Sequence, residues 1–344
     1  MKGILAVNAG SSSLKVAAFR ADSLERIATV ELDDLGERGH EAAFAEALPR
    51  LGAHEWIAIG HRVVHGRERL GPHVVDGKLR AELEALIPLA PLHQPQCLAG
   101  IDAARRLAPD ALQVACFDTS FHRTLPDVAR RYALPSEYAE IEVYGFHGLS
   151  YEFIASVLPD HLGARARGRV IVAHLGSGAS MCALRDRSSI ATTMGFTPLD
   201  GLVMGTRPGA LDPGAVLYLI EQRGLTTAQV RELLYHRAGL LGVSGISASM
   251  QVLLGSHARG AAEAIELFVY RAQTSIGALA AALGGLDALV FTGGIGEHSA
   301  TIRDRITAAA RWLGDFAVAS IATDEELVIA RHTSALEHRA RTQS

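Results

Sequence analysis

Two segments of the chain repeat one pattern, and this repeat restricts the possible folds more than any other feature. The segments are LAVNAGSSSLKVAAF, residues 5–19, and VIVAHLGSGASMCAL, residues 170–184. Each runs from an apolar stretch through a polar residue and a Gly/Ser turn to a second apolar stretch, which predicts two strands joined by a tight loop. A chance match between common turn residues is one explanation. The other is a duplicated unit, with one copy in each half of the chain.

The first of these loops carries groups that bind anions. Backbone N–H groups, the hydroxyls of Ser11 and Ser13 and the ammonium of Lys15 are candidates for contact with a phosphate. The segment is not a P-loop, because that motif places Lys-Ser/Thr after two glycines at the start of a helix. A plain hairpin with solvent-facing serines is the alternative.

Strand and helix patterns alternate along the chain. Short apolar runs predict strands at Trp56–Gly60, Leu112–Phe117, Val170–Ala173 and Ala288–Thr292. Helical patterns lie between the strands, at Ala81–Leu86, Pro95–Leu107, Asp212–Glu221, Thr227–His236 and Ala261–Leu283. A capping box from Thr323 to Glu326 predicts a last helix with Glu325 in its first turn. The alternation predicts an α/β protein with ligands at the carboxyl ends of the strands, and a domain boundary falls near residues 118–147.

Composition excludes several classes of partner. The net charge is −4 and the 33 Lys and Arg residues are scattered, which argues against nucleic acid or an anionic membrane as a partner. The longest apolar stretch, Ile276–Phe291, is broken by glycines and Asp287, so no membrane span is expected. Three separated cysteines, Cys97, Cys116 and Cys182, are expected to be buried thiols. We expect a cytoplasmic protein of two domains that binds small metabolites.

Nine motifs, in this order, resemble those of the acetate kinase family, within the superfamily of acetate and sugar kinases and actin-like ATPases. They are NAGSSSLK, GHRVVHG, PLAPLH, FDTSFH, YGFHG, HLGSGAS, GFTPLDGLVMGTR, FTGGIGE and TDEEL. The resemblance implies two actin-like, ribonuclease-H-like domains around a central active-site cleft. Residues 1–119 and 325–344 would form the acyl and magnesium side. Residues 120–324 would bind the nucleotide and form a homodimer.

The activity implied by the resemblance is reversible transfer of the ATP γ-phosphoryl group to acetate, giving acetyl phosphate and ADP, with Mg²⁺ or Mn²⁺. The catalytic residues would be Arg62, Asp118, His147, His174 and Arg207. Asp118 is interpreted as a group that orients Arg62 or the magnesium shell, because acetate carries no proton to abstract at neutral pH. Asn8, Asp118 and Glu325 would form the metal site, whose oxygen ligands suit a hard cation.

The resemblance also assigns the two substrate sites. The acid would contact Arg62, Val64, Leu92, His93, Phe146, Pro198 and Arg207. The nucleotide would contact Ser11, Ser13, Lys15, His174, Leu175, Gly176, Ser177, Gly178, Gly294, Ile295, Gly296, Glu297 and His298. Val64 is expected to limit the length of the acid, although the exclusion of propionate should be modest.

Four departures from the family pattern fall on the nucleotide side. Ser177 and His298 stand where the family usually has Asn, and Ser249 and Gln251 stand where it usually has Asp and Arg. Either the remodelled pocket still takes ATP, or the donor is another nucleotide or pyrophosphate; the intact FTGGIGE favours a nucleotide. A propionate kinase and a non-catalytic sensor that binds nucleotide or acetyl phosphate are the other hypotheses.

Overall fold

The chain divides into two compact units. The computed structural model describes residues 2–10, 13–33, 35, 39–52 and 54–343. The first unit comprises Met1–Arg123, Phe146–Phe153 and Asp324–Ser344, and the second comprises Thr124–Gly145 and Ile154–Thr323. The chain therefore leaves the first unit and returns to it twice.

A six-stranded sheet forms the centre of the first unit. Its strands are β1 (Lys2–Ala9), β2 (Leu14–Arg20), β3 (Arg26–Leu32), β4 (Glu55–Val63), β5 (His73–Val74) and β6 (Leu112–Phe117), in the order β3-β2-β1-β4-β6-β5. The helices of this part of the chain are α1 (Gly39–Arg50), α2 (Gly77–Glu84), α3 (Gln94–Leu107) and the last helix, α13 (Glu325–Gln343).

Both faces of this sheet are buried, which explains why its central strands are apolar throughout rather than alternating. On one face, Leu5 and Val7 of β1 pack in a cluster with Phe44 of α1 and Ala104 of α3. On the opposite face, the intervening residues of β1 pack against residues 328–330 of α13. The side chains of successive strand residues point to opposite faces, so one apolar run contributes to both cores.

The second unit is built on a five-stranded sheet. Its strands are β7 (Arg169–Leu175), β8 (Ala179–Arg185), β9 (Ser188–Thr192), β10 (Ala288–Thr292) and β11 (Ala317–Ser320), in the order β11-β10-β7-β8-β9. The remaining helices are α4 (Asp127–Arg130), α5 (Gly148–Leu162), α6 (Pro213–Glu221), α7 (Thr227–Glu232), α8 (Gly239–Ser244), α9 (Met250–Leu254), α10 (Arg259–Leu283), α11 (Gly293–His298) and α12 (Ala300–Ala310). Of these, α10 packs across β7, β8 and β9.

Apart from the short edge strand β5, the two sheets have the same topology, and the predicted duplication is confirmed. In each sheet the first three strands form an antiparallel meander, β1-β2-β3 in one and β7-β8-β9 in the other. In each, the first strand then pairs in parallel with a later strand, and that strand pairs in parallel with the next, β4 and β6 in one sheet and β10 and β11 in the other. The α/β class is confirmed as well.

The predicted cap of the last helix is wrong. The backbone N–H of Leu327 donates to Oδ1 of Asp324 at 3.0 Å, so Asp324 is the N-cap and α13 begins at Glu325. Glu326 pairs instead with Lys15. Aspartate is the stronger N-cap of the two residue types, so the helix is capped by Asp324 rather than by the threonine next to it.

Two other expectations can be compared with the structure. The three cysteines are buried and free, as predicted. Among the described residues, none of the helices combines the length and apolar character needed to cross a bilayer.

Candidate active site

A cluster of charged groups forms in the first unit where β1, β4 and β6 end. The Nε and Nη2 atoms of Arg62 donate to the carboxylate of Asp118, with the shortest bond at 2.7 Å, and Nη1 donates to Oδ1 of Asn8 at 3.2 Å. Asp118 is only 1% exposed. A two-point ion pair fixes the plane of the guanidinium as well as its position. The structure therefore brings the predicted Asn8, Arg62 and Asp118 together.

Glu325 joins this cluster from the first turn of α13. Its Oε2 lies 3.9 Å from Nε of Arg62 and 3.5 Å from Nδ2 of Asn8. Burial raises the pKa of the Glu325 carboxyl to about 7; the charge of Arg62 opposes this rise, and that of Asp118 adds to it. One guanidinium thus stands against two carboxyl groups, so ionisation of Glu325 would leave an excess of negative charge.

These residues fit a magnesium ion by their chemistry. Asn8, Asp118 and Glu325 offer oxygen atoms, the ligands that Mg²⁺ prefers, and a cation would offset the excess charge at Glu325. No group of three His, Cys, Asp or Glu side chains in the described part of the chain could enclose a metal. A cation here would therefore take its remaining ligands from water and phosphate oxygens, which is usual for Mg²⁺.

The predicted phosphate loop is described only in part. Ser11 lies outside the described residues, so the structure says nothing about it. The N–H of Gly10 donates to the carbonyl of Ser13 at 2.8 Å, which closes the turn between β1 and β2. The ammonium of Lys15 pairs with Oε2 of Glu326 at 3.1 Å and is about one-third exposed. A phosphate at this loop would share Lys15 with that carboxylate.

His147 lies in a strained backbone conformation next to Asp118. Its φ is +58°, a left-handed value that is uncommon for a residue with a side chain. The N–H of Gly148 donates to the carbonyl of Asp118 at 3.0 Å, and a Cβ at Gly148 would lie 2.0 Å from that oxygen. Strain of this kind persists where the surroundings impose it, and it concentrates at functional sites. The glycine thus keeps His147 close to Asp118.

The predicted acyl wall of the first unit is largely buried. Val64 and Phe146 are 4% and 1% exposed, whereas Leu92 and His93 are partly exposed. The ring of Phe146 packs edge-on against that of His65, with centroids 5.6 Å apart.

Sequence reasoning missed Gln94, which holds this wall in place. Its side-chain oxygen accepts from the N–H of His65 and its amide donates to the carbonyls of His65 and Leu83, all at 3.1 Å. The side chain is fully buried. An amide directly after PLAPLH, at the start of a helix, was the available signal.

In the second unit, Arg207 lies next to Pro198, another residue of the predicted acyl site. Nη1 of the buried Arg207 donates to the carbonyl of Pro198 at 2.6 Å. The same turn also contacts the β7–β8 hairpin, because the N–H of Gly205 donates to the carbonyl of Ser177 at 3.0 Å. The turn that carries Arg207 is thus joined to the second of the two repeated loops.

All four departures from the family pattern line one cavity of the second unit. The cavity has a volume of about 780 Å³, within the usual range for small-molecule sites. Its polar side chains are those of Ser177, Ser249, Gln251, His298 and Ser299, and among the residues that the structure describes no Asp, Glu, Lys or Arg lines it. Gly176, Gly294 and Ile295, all predicted nucleotide residues, line it as well.

The other predicted nucleotide residues of the second unit belong to the loops and elements next to this cavity. The N–H of Gly176 donates to the carbonyl of Gly178 at 3.0 Å and closes the second loop. Oε1 of Glu297 accepts from the N–H of Gly293 at 2.9 Å, so its carboxylate supports the glycine turn rather than lining the cavity. His174, Leu175 and Gly296 belong to β7 and α11, beside that turn.

The transfer residues assigned by resemblance divide between the two units. Arg62, Asp118, His147 and Glu325 belong to the first unit, and His174 and Arg207 belong to the second. Their roles stay predictions.

Comparisons with known protein families, sequences and structures give consistent results. Residues 44–336 match the model of the Acetokinase family. The chain is 48% identical to the acetate kinase of Rhodopseudomonas palustris (strain TIE-1), over 96% of this chain and 97% of that protein. Two crystal structures are similar along nearly the whole of both chains. A propionate kinase from Francisella tularensis has a TM-score of 0.89 at 33% identity and covers 97% of this chain and 100% of that one. An acetate kinase from Porphyromonas gingivalis has a TM-score of 0.86 at 32% identity, with 98% and 100% covered.

Proposed function

Because the chain belongs to the acetokinase family, and is thus a phosphotransferase with a carboxylate acceptor, we propose that it makes acetyl phosphate and ADP from acetate and ATP. The reaction is reversible, and an oxygen of the acetate carboxylate forms the new bond to the γ-phosphorus in line with the bond to ADP, which breaks. The observation that carries the proposal is the two-point pairing of Arg62 with Asp118 beside Asn8 and Glu325.

The residues have distinct roles in this proposal. Arg62 and Arg207 hold the acid carboxylate and stabilise the charge that spreads over the moving phosphoryl group, and His147 and His174 donate hydrogen bonds to it. Asp118 fixes the plane of Arg62. A magnesium ion held by Asn8, Asp118 and Glu325 would neutralise charge on the phosphates. The small hydrogen-bonding groups around the 780 Å³ cavity would receive the nucleoside.

Detection of acetyl phosphate as its hydroxamate tests the proposal. The purified protein is assayed with Mg²⁺, with ATP, GTP or pyrophosphate as donor and acetate, propionate or butyrate as acid. ATP with acetate should give the fastest product formation. Product with pyrophosphate alone would overturn the nucleotide donor, and no product from any pair would overturn the kinase proposal.

Propionate is the alternative acid. A solved relative of 33% identity is a propionate kinase, and Val64, assigned to the methyl pocket, is a side chain of moderate size. The same assay compares kcat/KM for the two acids. A higher kcat/KM for propionate would replace acetate as the main substrate.

We also propose a homodimer, as the resemblance implies. No residue of α6 is buried although nearly all its side chains are apolar, and Leu217 and Tyr218 are each 54% exposed. A helix this apolar is normally buried, and a second copy of the chain would cover it. The mass in solution, from light scattering, should be twice that of the chain, and Leu217→Glu should give monomer. The matched control is Val128→Glu, at an 84% exposed apolar residue of α4, which should leave the dimer intact.

A cytoplasmic location completes the proposal. Free, buried cysteines are usual in a reducing compartment. Fractionation of cells of the source organism, followed by immunoblotting, tests it.

A further inference from the structure

The turn that presents Arg207 is held by a short, irregular stretch of the second unit. After α7, residues Leu233–Arg237 form one turn of π-helix, and α8 begins immediately beyond it. Turns of π-helix are rare and are found mostly at functional sites. We therefore expect the π-helical turn at Leu233–Arg237 to have a specific role in the second unit.

Four backbone hydrogen bonds define the Arg207 turn and attach it to this stretch. The N–H of Met204 donates to the carbonyl of Arg207 at 3.0 Å, which closes the turn. The carbonyls of Met204, Gly205 and Thr206 accept from the N–H groups of residues 240, 241 and 238, at 2.9 to 3.0 Å. Two N–H groups in the first turn of α8, those of residues 240 and 241, thus donate to this turn rather than to water or a ligand.

Gly239 makes this close approach possible. Its φ is +63°, and a Cβ there would lie 2.2 Å from the carbonyl oxygen of Met204 and 2.8 Å from the nitrogen of Arg207. A side chain at this position would displace the backbone of Arg207 itself.

One side chain completes the attachment. The hydroxyl of Thr206 donates to the carbonyl of Tyr235, inside the π-helical turn, at 2.7 Å. Tyr235 is 6% exposed, so the carbonyl that accepts this bond belongs to a buried residue. The guanidinium of Arg207 is held separately, because its Nη1 donates to the carbonyl of Pro198. The backbone next to Arg207 is therefore tied to Tyr235, and its side chain is tied to Pro198.

We propose that Thr206 is a positioning residue for the phosphoryl transfer: its hydroxyl, bonded to the Tyr235 carbonyl, fixes the backbone from which Arg207 reaches its substrate. The inference rests on the role of Arg207 in the proposed function. Thr206 precedes Arg207 directly, so a change at residue 206 moves the origin of the arginine side chain. Misplacement of a catalytic group by about 1 Å can cost about 100-fold in rate.

Thr206→Val tests the proposal, because it removes the hydroxyl and keeps the branched shape. We expect kcat to fall roughly 10- to 100-fold while the KM for ATP stays within about twofold. Thr206→Ser, which keeps the hydroxyl, should restore most of the rate.

The matched control is Thr124→Val in the same unit, where a threonine hydroxyl donates to the carbonyl of Ser189 at 2.8 Å. It removes the same kind of bond, so both valine variants should lose a similar few degrees of Tm, but Thr124→Val should keep the wild-type kcat. Equal losses of kcat in the two variants, or a wild-type kcat in Thr206→Val, would overturn the proposal, as would failure of Thr206→Ser to restore the rate.

A double variant separates this inference from the proposed function. Arg207→Ala should lower kcat at least ~10³-fold, as expected for a cationic group in phosphoryl transfer. Because Thr206 acts through Arg207, adding Thr206→Val to Arg207→Ala should lower kcat no further. A full additional loss would overturn the positioning role alone. A wild-type rate in Arg207→Ala would overturn the role of Arg207 and this inference with it, and an inactive wild-type protein would overturn both proposals.

Discussion

Arg62 shows how neighbouring side chains restrict one functional group. Asp118 fixes its guanidinium through two oxygens, and Asn8 accepts from the remaining nitrogen. An arginine that is already fixed loses little conformational entropy when it binds a carboxylate or a phosphoryl group. Because the charge of Arg62 is shared with Asp118, Glu325 has too little positive charge nearby to stabilise its ionised form.

Replacement of Glu325 by glutamine should separate metal binding from packing. Gln keeps the shape but removes the negative charge, so we expect the Mg²⁺ concentration for half-maximal rate to rise at least about tenfold, within the range for loss of a supporting metal ligand. A titration of rate against Mg²⁺ at saturating substrates measures it. Asp324→Asn is the control, since Asp324 pairs with Arg26 and should leave the Mg²⁺ requirement unchanged. An unchanged requirement in Glu325→Gln would remove Glu325 from the metal site.

Shortening Val64 should change the choice of acid. Val64→Ala opens space in the predicted methyl pocket, and one buried methylene is worth about 0.8 kcal/mol. The ratio of kcat/KM for propionate to that for acetate should rise by roughly three- to tenfold. Val74→Ala, at a 42% exposed residue of β5, is the control. An unchanged ratio would show that the acid does not bind next to Val64.

At the scale of the element, the contact between α13 and β4 depends on a residue without a side chain. A Cβ at Gly60 would lie 2.0 Å from Oγ1 of Thr333 and 2.5 Å from Cγ2 of Ile329, both on α13. Because Gly60 is two residues before Arg62 and α13 begins with Glu325, this contact sets the spacing of two members of the charged cluster.

Gly60→Ala should therefore force α13 away from the sheet. Overpacking of this kind costs about 1–3 kcal/mol, which chemical unfolding will detect. Adding Thr333→Ala removes the nearest atom and should recover part of the loss. Gly77→Ala, at an exposed glycine where an added Cβ would contact none of the other described residues within 4 Å, should be neutral or slightly stabilising. Equal stability of Gly60→Ala and wild type would show that the helix can move at no cost.

The sequence allowed most of these elements to be predicted, because strands with two buried faces leave long apolar runs. The predicted strands at Leu112–Phe117 and Ala288–Thr292 match β6 and β10 to the residue. The helical pattern over Thr227–His236 missed the change to π-helix at Leu233, since hydrogen-bond spacing leaves no mark on hydrophobic periodicity. Gln94 and Thr206 were missed for a related reason. Their partners are backbone atoms, whose positions depend on the tertiary fold.

For the molecule as a whole, acid should weaken the first unit through its buried histidines. Burial lowers the pKa of His61 and of His122 to about 4 and that of His65 to about 3. Nε2 of His61 is bonded to Gln113, and its Nδ1 has no hydrogen-bond partner among the described residues, as suits a neutral ring. The unfolded state takes up protons near pH 6.5 and the folded state does not, so this stability is complete above pH 6.5 and is lost as the pH falls toward 4.

The two tryptophans allow the dependence of stability on pH to be measured for each unit, since Trp56 lies in the first unit and Trp312 in the second. With Trp312→Phe, the urea midpoint reported by Trp56 should fall between pH 6.5 and 5, because the three histidines outweigh the opposite contribution of the Glu325 carboxyl, whose pKa burial raises to about 7. His122→Gln should reduce that slope, whereas replacement of the exposed His338 by glutamine should not. A flat midpoint down to pH 5 would contradict the prediction.

The division of the first unit into three chain segments has a consequence for synthesis. Ile4 and Ala58 on one face of its sheet are covered by Val328 and Ile329 of α13. About 200 residues must be made between the end of the first segment and the start of that helix, which takes about 10 to 40 seconds at typical translation rates. Through that interval the nascent sheet exposes an apolar face, while the second unit, most of it one continuous segment, can fold first. A ribosome-bound chaperone therefore has its clearest binding site on the strands that emerge earliest.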